Sequence, residues 1–179
     1  MSESKLNNKK QILVMQGDIT QQKVDAIVNA ANESLLPGSD VSGAIHKAAG
    51  LGLEEECIKI GWCEEGEAKI TQGYNLFAKY VIHTVGPVWE GGNYGEDKIL
   101  ANCYRRCLEI AAENEIKSIA FPAISTGAYE FPLEKATKIA VTEVKKYLEN
   151  ENTIESVIFV CFSAEIYDCY QKTIAEIMK

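Results

Sequence analysis

The sequence predicts a single α/β domain in which a mostly parallel sheet lies between layers of helices. Three observations predict it. Short apolar runs alternate along the chain with longer stretches whose apolar residues recur at helical spacing. One run, residues 157–162, is continuously apolar, the pattern of a strand covered on both faces. The 179 residues, 46% of them hydrophobic, suffice for one core without disulfide or metal staples.

Each element follows from its own stretch. Residues 1–10 are polar and read as a short flexible tail, not a signal peptide, ahead of one domain over residues 11–179. Residues 12–16 and 24–30 are strand runs, the second rich in Val and Ile. Residues 42–49 read as a short helix and 53–60 as a more polar one, followed by strands at 68–75 and 80–85. The clearest helix covers 97–114: Ile99, Cys103, Cys107, Leu108 and Ala111 share one face, and Asp97 is an N-cap candidate. A strand at 118–123 precedes a helix over 132–148, whose stripe is Leu133, Ala136, Ala140, Val144 and Tyr147. Pro132 suits its first turn. After the strand at 157–162, a last helix over 164–178 carries Ile166, Tyr170, Ile174 and Ile177.

Composition narrows the function classes. The formal net charge is -8, and the small basic clusters Arg105-Arg106 and Lys145-Lys146 lie in helical stretches as solvated faces, so neither nucleic acid nor a membrane is expected as partner. An anionic ligand would be held by backbone N–H groups rather than by Lys or Arg. No two of the six cysteines are spaced C-x-x-C, and His46 and His83 are the only histidines; no metal and no cofactor are expected, and the thiols read as buried and reduced. No run approaches the roughly 20 apolar residues that span a bilayer. The expected location is the cytoplasm.

In parallel sheets ligands sit beyond the carboxyl ends of the strands, so the segments directly after strands carry the chemistry. The first runs from Asn29 through Asn32, Pro37, Gly38 and Asp40 into a helix near Ser42, whose free N–H groups suit an anion. Gly38 and Gly43 permit close approach of a ligand to the backbone. The second, Ile124-Ser125-Thr126-Gly127-Ala128-Tyr129, has the small residues of a backbone nest for phosphate oxygens. Asp18, after the first strand, is either a turn or cap carboxylate or an acceptor for an exocyclic amine. Phe162 either stacks on a base or packs in the core.

Taken together, these segments resemble the macrodomain family, in its branch of ADP-ribosyl and O-acetyl-ADP-ribose hydrolases. Gly17-Asp18-Ile19-Thr20, Asn29-Ala30-Ala31-Asn32, Gly43-Ala44-Ile45-His46-Lys47-Ala48-Ala49-Gly50, His83-Thr84-Val85-Gly86-Pro87 and Phe121-Pro122-Ala123-Ile124-Ser125-Thr126-Gly127 occur in family order, from about Gln11 to the C-terminus. The resemblance implies a three-layer α/β/α sandwich with a mixed, mostly parallel central sheet. It implies ADP-ribose, an ADP-ribosylated protein or O-acetyl-ADP-ribose as partner. It implies that Asp18 receives the adenine amine beside the Ile19 backbone, and that Phe162 stacks on the adenine. It implies that Ser125, Thr126, Gly127, Ala128 and Tyr129 wrap the diphosphate and distal ribose, with Gly43, Ala44 and Ile45 closing the other side. Asn32 would bond the distal ribose and act in catalysis.

The chain departs from that pattern in two stretches. The hydrolase branch has four glycines and then Val-Asp-Gly, where this chain reads Pro37-Gly38-Ser39-Asp40-Val41-Ser42-Gly43. Ser42 thus stands at the family's catalytic carboxylate, and an unaided hydroxyl is a poor base at neutral pH. Asp40, two residues earlier, is a candidate substitute, and Ser42 also suits a helix N-cap. Glu130 replaces a glycine after Tyr129. Both an ester hydrolase and an ADP-ribose reader without turnover remain open from the residues alone.

Overall fold

The computed structural model describes residues 10–179; the tail expected over residues 1–10 lies outside it except for Lys10. Lys10 is buried, and its Nζ donates to the Leu148 carbonyl at 2.8 Å.

Six strands form one sheet: β1 (Gln11–Gln16), β2 (Ala26–Ala30), β3 (Ala68–Gln72), β4 (Tyr80–Thr84), β5 (Ser118–Phe121) and β6 (Ser156–Cys161). Their order is β1-β6-β5-β2-β4-β3, every neighbouring pair parallel except antiparallel β3 on β4. The sheet is mixed and mostly parallel, as expected. Five helices cover it: α1 (Asp40–Ala49), α2 (Leu51–Ile60), α3 (Glu96–Glu113), α4 (Leu133–Leu148) and α5 (Ala164–Ile177). Strand side chains alternate between two cores. Val28, Phe121 and Phe159 meet α3, α4 and α5 through Leu100, Val144 and Tyr170. Ile27, Ala120 and Val160 meet α1 and α2 through Ile45 and Leu53. The result is the expected three-layer α/β/α sandwich.

Several boundaries move for physical reasons. Strand β2 starts at Ala26 because Asp25 turns its carboxylate to the Lys117 amide, at 2.8 Å, tying the starts of β2 and β5 together. Strand β3 stops at Gln72 because Gly73 N bonds the Lys79 carbonyl at 2.8 Å and turns the chain back into β4. Helix α3 starts at Glu96 with Gly95 as its N-cap, not Asp97. The buried Glu96 carboxylate instead accepts from the amides of Glu90, Gly92 and Tyr94, and Asp97 pairs with Lys135 at 3.2 Å. Burial opposes ionisation of Glu96, but these amides outweigh it and hold its pKa down at about 2. Pro132 sits just before α4 as its N-cap rather than in its first turn.

All six cysteines are free thiols, five of them buried. Burial pushes the Cys57 thiol up to about 11 and Cys103 to about 12. The basic pair on α3 is spent on ion pairs: Arg105 with Glu109, and Arg106 with Glu67 and Glu109. Among the described residues no helix is long and apolar enough to cross a membrane.

Candidate functional site

The five parallel strands end on one rim of the sheet, and a cavity of about 660 Å³ opens there, within the usual range for a small-molecule site. Every one of these strands contributes to its wall. Gly17, Asp18 and Ile19 follow β1; Ala31 and Asn32 follow β2; Gly86 follows β4; residues 122–129 follow β5; Phe162 follows β6. The loop into α1 closes the remaining side with Gly38, Ser39, Asp40, Val41, Ser42 and Ala44.

One end of the cavity is aromatic and acidic. Phe162 comes one residue after β6 and is 69% exposed, so it is not a core residue. An apolar ring of that exposure on a cavity wall is a stacking surface. Asp18 plays its cap role and keeps a free atom: Oδ1 accepts from Thr20 N at 2.9 Å and Thr20 Oγ1 at 2.7 Å, which leaves Oδ2 for a donor from the cavity. The arrangement suits a flat ring carrying an exocyclic amine.

The middle of the cavity is lined by main-chain donors. The loop after β5 folds on itself: Phe131 N donates to Ser125 O and Glu130 N to Gly127 O, each at 2.9 Å. Among the described residues, the amides of Ser125, Gly127, Ala128 and Tyr129 have no protein acceptor. Across from them stands the start of α1, whose first amides have no intrahelical acceptor. Two sets of free N–H groups facing one groove make an anion site without Lys or Arg, in keeping with the net charge of -8.

Glycines make this geometry possible at two close approaches. A Cβ on Gly86 would lie 2.2 Å from Ser125 Oγ and 2.7 Å from Ile124 Cγ2. A Cβ on Gly43 would lie 2.6 Å from the Gly38 carbonyl oxygen, so the loop before α1 can lie against the helix only because Gly43 has no side chain. Ser125 has φ 67° and is buried, and its hydroxyl has no partner. Asp40 and Glu130, both where the resemblance expects glycine, have φ 52° and 57°. The left-handed backbone explains a glycine preference there; Asp tolerates that region better than most residues.

At the other end, the Asn32 amide is held by its own loop. Its Nδ2 donates to Leu36 O at 3.3 Å and its Oδ1 accepts from Ser34 Oγ at 2.6 Å. Ser42 is buried inside the first turn of α1, and Gly38 N donates to its Oγ at 3.3 Å. The helix N-cap is Ser39, so the capping reading of Ser42 is corrected: α1 begins two residues earlier than its apolar pattern indicates. Asp40 lines the cavity, but its carboxylate turns toward Gly127, where Oδ2 would lie 3.7 Å from a Cβ on that residue.

Ten of the twelve residues expected to bind line the cavity: Asp18, Ile19, Asn32, Ala44, Ser125, Thr126, Gly127, Ala128, Tyr129 and Phe162. Gly43 and Ile45 do not. Gly43 lies behind the loop, and the Ile45 side chain is wholly buried in the core beneath α1. Gly86, Val41 and Pro122 stand in stretches that carry the resemblance but were assigned no role from sequence; the structure places all three in the cavity wall and Gly86 against Ser125. Glu130 lies outside the wall. Among the described residues no group of three or more His, Cys, Asp or Glu has the geometry to hold a metal ion.

A family model described as the Macro domain matches residues 28–140. A Macro domain-containing protein of Methanosarcina mazei is 54% identical over 93% of this chain and 89% of its own length. The ADP-ribose glycohydrolase MACROD2 of Xenopus laevis is 52% identical over 89% of this chain, which spans 39% of that longer protein. The crystal structure of a Trypanosoma brucei macrodomain in complex with ADP-ribose superposes with a TM-score of 0.86 at 43% identity, covering 91% of this chain and 68% of that one.

Proposed function

The chain belongs to the Macro domain family, and on that premise we propose that its rim cavity binds ADP-ribose and hydrolyses ADP-ribosyl esters of proteins or O-acetyl-ADP-ribose. The observation that carries the binding half is the match between cavity and ligand. An exposed aromatic ring and a half-free carboxylate stand at one end, Phe162 and Asp18, and two runs of unpaired amides stand in the middle. An adenine, a diphosphate and a second ribose need these surfaces in this order.

In this reading the adenine stacks on Phe162 and its amine donates to Asp18 Oδ2. The amides of residues 125–129 and of the first turn of α1 take the diphosphate oxygens. The distal ribose lies beside Asn32, whose amide keeps one N–H free for a sugar hydroxyl or a water. Water attacks the ester, the carboxylic acid leaves, and ADP-ribose remains. Ser42 cannot take the water's proton at neutral pH. The proton therefore passes by way of a diphosphate oxygen to the departing group, and positioning by Asn32 supplies the rest of the acceleration. Asp40 is not assigned the base: its carboxylate lies toward Gly127 and makes no hydrogen bond with Asn32. Turnover is accordingly slow. The 52% identity to a named ADP-ribose glycohydrolase supports the hydrolytic half.

A second reading, an ADP-ribose reader without turnover, is favoured by one observation, the serine hydroxyl at position 42. One experiment separates the two. The protein is incubated at high concentration with O-acetyl-ADP-ribose and with a mono-ADP-ribosylated acidic protein, beside a heat-killed control. Release of acetate or of ADP-ribose supports the hydrolase; saturable calorimetric binding of ADP-ribose without release selects the reader.

A further inference from the structure

We propose that Asp40 is a built-in anion that rests in the mouth of the diphosphate groove and must swing aside for a ligand to enter, so that it lowers the affinity for diphosphates specifically. The proposal deepens the ADP-ribose reading and rests on it. Asp40 is the first residue of α1, lines the cavity, and stands among the unpaired amides of that first turn. Its Oδ2 reaches the opposite wall, lying where a Cβ on Gly127 would be only 3.7 Å away. A carboxylate from one side of the groove therefore touches the loop on the other side, between the two runs of N–H donors.

Nothing else in the structure holds it there. Among the described residues Asp40 has no ion pair and no side-chain hydrogen bond. The field of the surrounding amides and the helix start is what favours a negative charge at this point. The backbone adds a second peculiarity. Asp40 has φ 52°, a conformation that costs most side chains energy and that a glycine would take freely. Asp tolerates this backbone better than most residues but less freely than glycine, and what it adds over glycine is a charge in the groove.

A diphosphate arriving in that groove meets a like charge within a few ångströms. It must displace the carboxylate toward solvent, which is open to it because Asp40 is exposed. The cost falls on the diphosphate; adenosine carries no phosphate and so no charge for the carboxylate to repel. Asp40 is thus a specificity-determining residue that acts against the ligand's charge.

The test compares the intact protein with Asp40→Asn and Asp40→Gly, using calorimetry with ADP-ribose and ligand-observed NMR titration with adenosine. Asp40→Asn keeps the shape and removes the charge, and both variants change an exposed residue, so folding is checked by circular dichroism only as a control. The expected result is ADP-ribose binding about tenfold tighter in Asp40→Asn, from removal of one close like charge in a partly screened site, with adenosine affinity unchanged. Tightening in Asp40→Gly alone would mean that bulk rather than charge obstructs the groove, and overturns the proposal. Equal or weaker ADP-ribose binding in Asp40→Asn, with adenosine still bound, overturns it also. Binding of neither compound by any of the three proteins overturns the ADP-ribose reading itself, and this inference with it.

Discussion

Asn29 and His83 stand opposite each other in the β2–β4 register, and Asn29 Nδ2 lies 3.0 Å from His83 Nδ1. With the amide donating, Nδ1 is the acceptor and the ring proton sits on Nε2, 2.9 Å from Thr71 Oγ1. Thr71 in turn donates to the Gln72 carbonyl. The chain of bonds runs in one direction and fixes a neutral imidazole under the sheet rim.

A pH dependence of stability follows. Burial, aided by the nearby His46, pushes His83 down to about 3, against an ordinary value near 6.5. The unfolded chain then binds a proton that the folded one refuses. The contribution is fully present above about pH 6.5 and is lost as pH falls toward 3. Between pH 7 and pH 5 the loss is about 2 kcal/mol. Urea unfolding of wild type and His83→Gln at both pH values checks this. The variant is less stable at pH 7 and loses less on acidification; an equal loss in both proteins would assign the dependence elsewhere.

Phe162→Ala separates binding from stability. The ring is 69% exposed, so the midpoint of urea unfolding stays where it is. Affinity for ADP-ribose falls about 10- to 100-fold, the range of one lost base–aromatic stack. A drop in stability without a drop in affinity would return Phe162 to a packing role.

Gly86→Ala acts through the neighbouring loop. The added methyl would sit 2.2 Å from Ser125 Oγ, so residues 124–126 must move. The expected outcome is ADP-ribose affinity at least tenfold weaker with near-normal circular dichroism and a lower midpoint of urea unfolding, since the buried Ile124 is displaced together with Ser125. Unchanged affinity would mean that the Ser125 position is not used by the ligand.

Ser42→Asp tests the chemistry. The site is buried and already receives the Gly38 N–H, which a carboxylate can accept as well. A base at this point raises turnover of O-acetyl-ADP-ribose by about 100-fold or more, with ADP-ribose affinity changed little. A variant that binds and remains inert would show that the serine is not what limits the rate.

Much of this was legible in the residues. Short apolar runs and stripes at helical spacing marked all six strands and five helices, because strands that feed two cores are apolar on both faces, as Ile27 and Val28 are. The ends were harder to read. Glu96 begins α3 because its carboxylate collects amides from the preceding loop, a contact between residues that no local pattern encodes. Ile45 shows the limit for the site: in a motif beside the cavity, helical phase alone decides which side chains face the ligand, and α1 turns Ile45 inward and Ala44 outward. Phe162 could not be placed from sequence because the residue after a buried strand is equally apolar whether it caps the core or lines the rim.

The buried thiols have a practical consequence. Cys57, Cys63, Cys103, Cys107 and Cys161 are shielded on both sides of the sheet, and their weak acidity leaves almost no thiolate at neutral pH. A maleimide or iodoacetamide can reach them only when the sandwich opens. The chain thus carries its own clock for breathing: the speed at which these five sulfurs are alkylated reports, without any added label, how often each helical layer lifts from the strands.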